Sequence, residues 1–132
     1  MIVVLDPSAS IDFILHKGEF IEIKNKIETA DAVIAPEIYI SEITNVAWKY
    51  HKLANFSHNE SISLAEDGIN LIDQYFNVQE LWKEALREAM IHSHSVYDCL
   101  YIVCARRNDS ILLTNDKKLK KLCRKLNIET NI

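Results

Sequence analysis

Four acids sit at the joints between apolar segments of this chain: Asp6 in "VLDPS", Glu42 in "SEITN", Asp98 in "VYDCLY" and Asp116 in "LLTND". Carboxylates brought to one place repel, and each raises its neighbours' pKa unless a cation stands between them. Oxygen-only ligands suit a hard divalent ion, Mg2+ or Mn2+, more than zinc, which prefers histidine and thiolate. Such an ion lowers the pKa of a water it holds and neutralises charge on a phosphoryl oxygen. Gathered acids without an activated nucleophile therefore point to metal-assisted hydrolysis of a phosphodiester. Each acid also has a plainer role where it stands. Asp6 before Pro7 and Ser8 suits a turn or helix cap, and Ser95 to Asp98 has capping-box spacing. Asp116 ahead of "KKLKKL" suits an N-cap, and Glu42 a solvated helix face. The chemistry depends on whether distant segments bring the four together.

The segments around them change period along the chain. "IVVL" (2–5) reads as a strand ended by Asp6-Pro7, with a helix from Pro7 to about Leu15. "FIEIKNKIE" (20–28) has helical spacing, and Ala32–Ala35 reads as a second strand closed by Pro36. Ile40, Ile43, Ala47, Tyr50 and Leu53 recur at steps of three and four, one buried stripe of a helix. Glu42, Asn45, Lys49 and Lys52 make its polar face. Ser57 and Glu60 open the next helix with a capping box. "YFNVQ" reads as a short strand, "QELWKEALREAMIH" as a helix, Val96–Arg107 as a core helix and "SILLT" (110–114) as a strand. "DKKLKKLCRKL" closes the series with a stripe of Leu119, Leu122, Cys123 and Leu126, and "IETNI" leaves room for a last strand.

Short apolar strands alternating with helices predict one α/β domain over residues 1–132. Its centre is a mainly parallel sheet of four to five short strands covered by helices on both faces. In such sheets functional groups collect at the carboxyl ends of the strands. Asp6 and Asp116 follow strands, and Glu42 lies in the first turn of a helix that follows one. Asp98 opens a helix that runs antiparallel to the strand it feeds, so it too falls near that rim. All four acids are expected together.

Composition narrows the class. With 48% hydrophobic and 26% charged residues over 132 positions, the chain has an ordinary globular make-up for one domain. The longest apolar run, Cys99–Ala105, is far short of the ~20 residues of a membrane-spanning helix. "MIVVLDPS" has no basic lead or cleavage site, so no secretory signal is expected. Cys99, Cys104 and Cys123 lack C-x-x-C spacing and read as buried thiols of a reducing compartment, the cytoplasm. The net charge of −4 hides a basic segment, Arg106 to Lys125, with eight basic and two acidic residues. That balance excludes a general nucleic-acid coat but suits gripping a few phosphates. Lys117 and Lys118 beside Asp116, with Lys49 and Lys52 beyond Asn45, are the candidate contacts. "HSHS" (92–95) reads as an exposed connection between helices, and Trp48, Trp82 and Tyr101 as core or dimer interface.

"LDPS", "EITN", "YDCLY" and "LLTND", in this order, resemble the PIN-domain ribonucleases over essentially the whole chain. Order and spacing are most similar to the VapC-type toxins of toxin–antitoxin pairs. The resemblance implies that Asp6, Glu42, Asp98 and Asp116 surround Mg2+ or Mn2+ and cleave single-stranded regions of RNA. It implies supporting roles for Ser8, Asn45 and Thr114, a homodimer, and a small antitoxin whose C-terminal segment enters the active groove. Asp109-Ser110 stands where the family commonly has glycine, which touches only a turn. Two other functions fit the same acids: a PIN nuclease of RNA processing or turnover without an antitoxin, and a binding module that lost catalysis. A phospho-acceptor domain fits poorly, because Thr114 rather than a lysine ends the late strand.

Overall fold

The computed structural model describes residues 1–132. Four strands, β1 (Ile2–Leu5), β2 (Ala32–Pro36), β3 (Gln74–Phe76) and β4 (Ile111–Leu113), form one sheet in the order β3-β2-β1-β4. Every pairing is parallel, and Val4 stands opposite both Ile34 and Leu112. The helices are α1 (Pro7–Ile14), α2 (Phe20–Thr29), α3 (Ile38–Ala54), α4 (His58–Asn70), α5 (Val78–His92), α6 (Val96–Arg107) and α7 (Lys117–Lys125). Val3, Val4, Leu5, Val33, Ile34 and Ala35 are all buried. The inner strands read as unbroken apolar runs because helices leave neither face to water.

α6 is the centre of the molecule. Cys99 to Ala105 are buried without interruption, so the helix is apolar all round rather than along one stripe. It rests on β1, β2 and β4 and is covered by α5. Its far end is fastened to α5 by Arg106, which donates to Glu84 at 2.7 Å and to Glu88 at 3.2 Å. α4 opens with the expected capping box: Glu60 N donates to Ser57 Oγ at 3.1 Å and Ser57 N to Glu60 Oε1 at 2.9 Å.

α3 and α4 approach closely where the buried Tyr39 donates to the Gly68 carbonyl at 2.7 Å. A Cβ on Gly68 would lie 2.7 Å from Ile43 Cγ1. Alanine would gain about 1 kcal/mol of helix propensity, but overpacking a filled core costs about 1–3 kcal/mol. Gly68→Ala is therefore expected to lower the urea midpoint, by the equivalent of up to about 2 kcal/mol.

Several details differ from the sequence reading. β4 is limited to Ile111–Leu113, and the last segment makes only an isolated bridge between Leu112 and Thr130. The buried stripe of α3 is Tyr39, Ile43 and Ala47, whereas Leu53 is 76% exposed. Of the aromatics expected in the core or a dimer interface, Trp48 and Trp82 are exposed, which leaves only the interface for them, and Tyr101 is in the core. All three cysteines are free and buried. No helix is long and apolar enough to cross a membrane.

Candidate active site

The parallel order sets the carboxyl ends of β1 and β4 side by side, and Asp6 N continues the ladder by donating to Leu113 O at 3.2 Å. Asp6 then caps α1. Its Oδ1 accepts from Ala9 N at 3.0 Å and from Ser8 Oγ at 2.7 Å, and its Oδ2 accepts from Thr114 Oγ1 at 2.5 Å. Thr114 is itself fixed: its N donates to Asn131 Oδ1 at 2.9 Å, and Asn131 returns a bond to its carbonyl at 2.8 Å. Ser8 from α1 and Thr114 from the end of β4 therefore hold one carboxylate between them, although Thr114 lies 108 positions along the chain from it.

Asp6, Glu42 and Asp98 line one cavity of about 360 Å3 at this rim. Asp98 stands in the first turn of α6, where Ser95 Oγ accepts from its backbone N at 3.1 Å. Only that half of the capping box forms. The Asp98 side chain instead faces His94, with Oδ2 2.9 Å from Nε2. Glu42 is half-buried on α3, and Tyr101, one turn beyond Asp98 on α6, donates to its Oε1 at 2.6 Å.

The electrostatics are those of acids that outnumber their counter-charge, with Lys17 the one cation lining the cavity. Burial pushes Asp6 up to about 6, against the bonds from Thr114, Ala9 and Ser8, and the Asp98 charge adds to the rise. Burial also raises Glu42, opposed by the Tyr101 hydroxyl, and again Asp98 adds to it. Asp98 thus acts unfavourably on two other carboxylates at once.

Asp116 stands apart from that cavity. Its Oδ1 caps α7, accepting from Lys118 N at 2.8 Å and Leu119 N at 3.3 Å. It is tied to the site through its backbone, whose N donates to Thr114 Oγ1 at 3.0 Å. Asn115 lines the cavity in its place. Asn45, Lys49 and Lys52 are exposed and line no part of the cavity. Burial of Tyr39, Ile43 and Ala47 sets the phase of α3 so that Val46 and Tyr50 follow Glu42 around the wall, and Lys52 Nζ lies 5.0 Å from the Trp48 ring. Lys117 and Lys118 are exposed at the start of α7.

Sequence reasoning missed Asp12, Lys17 and Asn115, and gave Tyr50 and Tyr101 no place at the site; all five line the cavity. Asp12 is buried and accepts from Asn115 Nδ2 at 3.1 Å. It carries the signal that marked Asp98, an acid set among apolar helix neighbours. Tyr101 was findable as the residue three beyond Asp98 on the same helical face. Lys17 has no such signal; it reaches the cavity from the turn after α1 and donates to Tyr50 OH at 2.6 Å. The histidines of "HSHS" are corrected as well. His92 and His94 side chains are only 12% and 14% exposed, because each imidazole packs against an acid of its own helical neighbourhood, Glu88 and Asp98.

No three acidic, histidine or cysteine side chains lie close enough to ligate one ion together. The donors around the cavity are oxygens with excess negative charge. That set fits Mg2+ or Mn2+ keeping part of its own water shell, as Mg2+ usually does, better than a fully caged ion.

Residues 3–125 match the family model of the PIN domain. No curated protein matches the sequence. Among solved structures, the fold is similar to PAE2754 from Pyrobaculum aerophilum, at 19% identity and a TM-score of 0.70, covering 95% of this chain and 88% of that one. It is similar to VapC20 of Mycobacterium tuberculosis, a sarcin-ricin loop cleaving toxin, at 14% identity and a TM-score of 0.65, covering 91% and 94%. VapBC2 from Rickettsia felis, bound to a DNA fragment from its promoter, aligns at 15% identity and a TM-score of 0.67, covering 99% and 98%. At these identities the likeness is one of fold.

Proposed function

Because the chain belongs to the PIN domain family, we propose that its acidic cavity is the active site of a metal-dependent endoribonuclease, the toxin of a toxin–antitoxin pair. The observation that carries this reading is the meeting of Asp6, Glu42 and Asp98, from three separate elements, around one cavity where two of them are held above the ordinary carboxylate range. The toxin assignment draws support from the toxin and toxin–antitoxin structures with the same fold.

Asp6, Glu42 and Asp98 would hold Mg2+ or Mn2+, with Asp116 acting from the neighbouring cap. Such an ion, when bound, supplies a water of lowered pKa and neutralises charge at the phosphate to be cut. The chain's own residues do the positioning. Ser8 and Thr114 fix Asp6, Tyr101 fixes Glu42, and His94 fixes Asp98. Lys17 is the one cation among the lining residues and places positive charge opposite the acids for an incoming phosphate. Trp82, Leu86 and Met90, exposed at intervals of four on α5, offer an apolar stripe for a homodimer. The compartment in this reading is the cytoplasm, and the partner an antitoxin segment that enters the cavity.

The test is cleavage of single-stranded RNA by the purified chain. Cleavage is expected with Mg2+, lost on adding EDTA and restored by excess Mn2+. Cleavage indifferent to EDTA, or none with either ion, would contradict the reading. Growth arrest on expressing this chain alone separates a toxin from a nuclease of RNA turnover, which would leave growth unchanged.

A further inference from the structure

We propose that a second, basic pocket beside the acidic cavity binds a backbone phosphate of the same RNA strand, adjacent to the one that is cut. This rests on the nuclease reading above but is carried by different residues. The pocket, about 230 Å3, is lined by His92, His94, Lys118, Lys121, Leu122 and Lys125, with no carboxylate among them. Lys118, Lys121 and Lys125 follow one another at steps of three and four, so they stand on one face of α7. None of the three takes part in an ion pair. Lys120 shows the contrast: it is buried and held by both oxygens of Glu19, at 2.7 and 2.8 Å. α7 thus uses one lysine for structure and sets three unpaired ones around a concavity, while the exposed Lys117 and Arg124 lie outside it.

The histidines form the wall that joins this pocket to the acids. His94 Nε2 lies 2.9 Å from Asp98 Oδ2, and His92 Nε2 lies 3.2 Å from Glu88 Oε2. Both imidazoles line the pocket beside the lysines, so its nearest carboxylates are already faced by a ring nitrogen.

Position makes the pocket part of the substrate path. Asp98 lines the acidic cavity and touches His94, which lines the basic pocket. On the other side, Lys118 lines the basic pocket while its backbone N caps onto Asp116. A strand laid across the acids meets like charge, and an adjoining cationic pocket offsets that repulsion for the neighbouring phosphate.

The probe is a fluorescein-labelled oligouridine of roughly ten nucleotides, its binding to the full chain in EDTA followed by anisotropy over a range of salt. Lys121→Ala/Lys125→Ala is expected to weaken binding at least about tenfold and to reduce the salt slope by about 0.7, the contribution of one phosphate of a single strand. A charge-matched control, Lys24→Ala/Lys26→Ala on α2, is expected to leave the slope unchanged. Equal losses in both variants, or a slope that moves in neither, would overturn the pocket. So would an acidic peptide of equal charge that binds as tightly as the RNA. Cleavage by the unaltered chain with Mg2+ is scored separately: cleavage with an unmoved slope sinks the pocket alone, and a moved slope without cleavage sinks the nuclease reading alone.

Discussion

Asp98→Asn is expected to leave a folded protein that has lost RNA cleavage by roughly two to three orders of magnitude. The two halves of that expectation come from different atoms of one residue. The backbone N of Asp98 makes the cap with Ser95, and asparagine keeps it. The side chain contributes its partner bond to His94, which an amide oxygen still accepts, and a charge that acts against Asp6 and Glu42. Removing the charge relieves both, so the melting temperature without metal is expected to hold or rise slightly. Losing one anionic oxygen from the ion's surroundings removes an interaction needed in the transition state, worth about 3–4 kcal/mol for a single aligned group. Single-turnover cleavage and a thermal melt of the same preparation check it. Retained cleavage would remove Asp98 from the reaction, and an unfolded variant would show that its carboxylate supports the fold instead.

The second large effect is a pH-dependent instability that belongs to Asp6. Below about pH 4 the carboxyl is protonated in both the folded and the unfolded chain. Between about pH 4 and pH 6 only the folded chain keeps the proton, because burial raises this group from 3.8 to about 6. Unfolding then releases a proton, so stability falls as pH rises through that window. The loss is complete above about pH 6 and amounts to about 3 kcal/mol, from a rise of roughly two units at 1.36 kcal/mol each. Glu42 adds a loss of the same sign, while Glu84, held down chiefly by its bond from Arg106, acts oppositely. The readout is therefore the difference between the wild type and Asp6→Asn. Urea midpoints are expected to agree near pH 4 and to favour the variant by about 2–3 kcal/mol at pH 7, with cleavage lost. Saturating Mg2+ is expected to narrow the gap by stabilising the wild type. Parallel curves from pH 4 to pH 7 would contradict the burial argument.

The sheet and the meeting of distant acids were legible in the sequence for a common reason. Short apolar runs that stop at Asp6-Pro7 and near Thr114 mark parallel strand ends, and parallel topology places those ends on one rim. The unbroken run Cys99–Ala105 likewise announced a helix buried on every side. Rotations of single helices were not legible. Glu42 faces the cavity with Val46 and Tyr50, not with Asn45, Lys49 and Lys52, because the depth of Tyr39, Ile43 and Ala47 sets the phase of α3. The expected stripe shares Ile43 and Ala47 with the one that packs, and Leu53 alone falls well off it, 76% exposed. Burial of His92 and His94 was hidden for a related reason: their partners Glu88 and Asp98 lie one turn away on helices whose ends a polar tetrapeptide does not disclose. Asp116 shows the plainer of its two expected roles: the cap on α7 expected from "NDKK" is formed, and its side chain lies outside the cavity.

Crystals soaked in Mn2+ and measured for anomalous scattering test the central claim most directly. The account predicts a manganese peak within the cavity lined by Asp6, Glu42 and Asp98, absent from Asp6→Asn crystals treated identically. Manganese bound only elsewhere on the surface, with those three side chains unmoved and unshared, would contradict it.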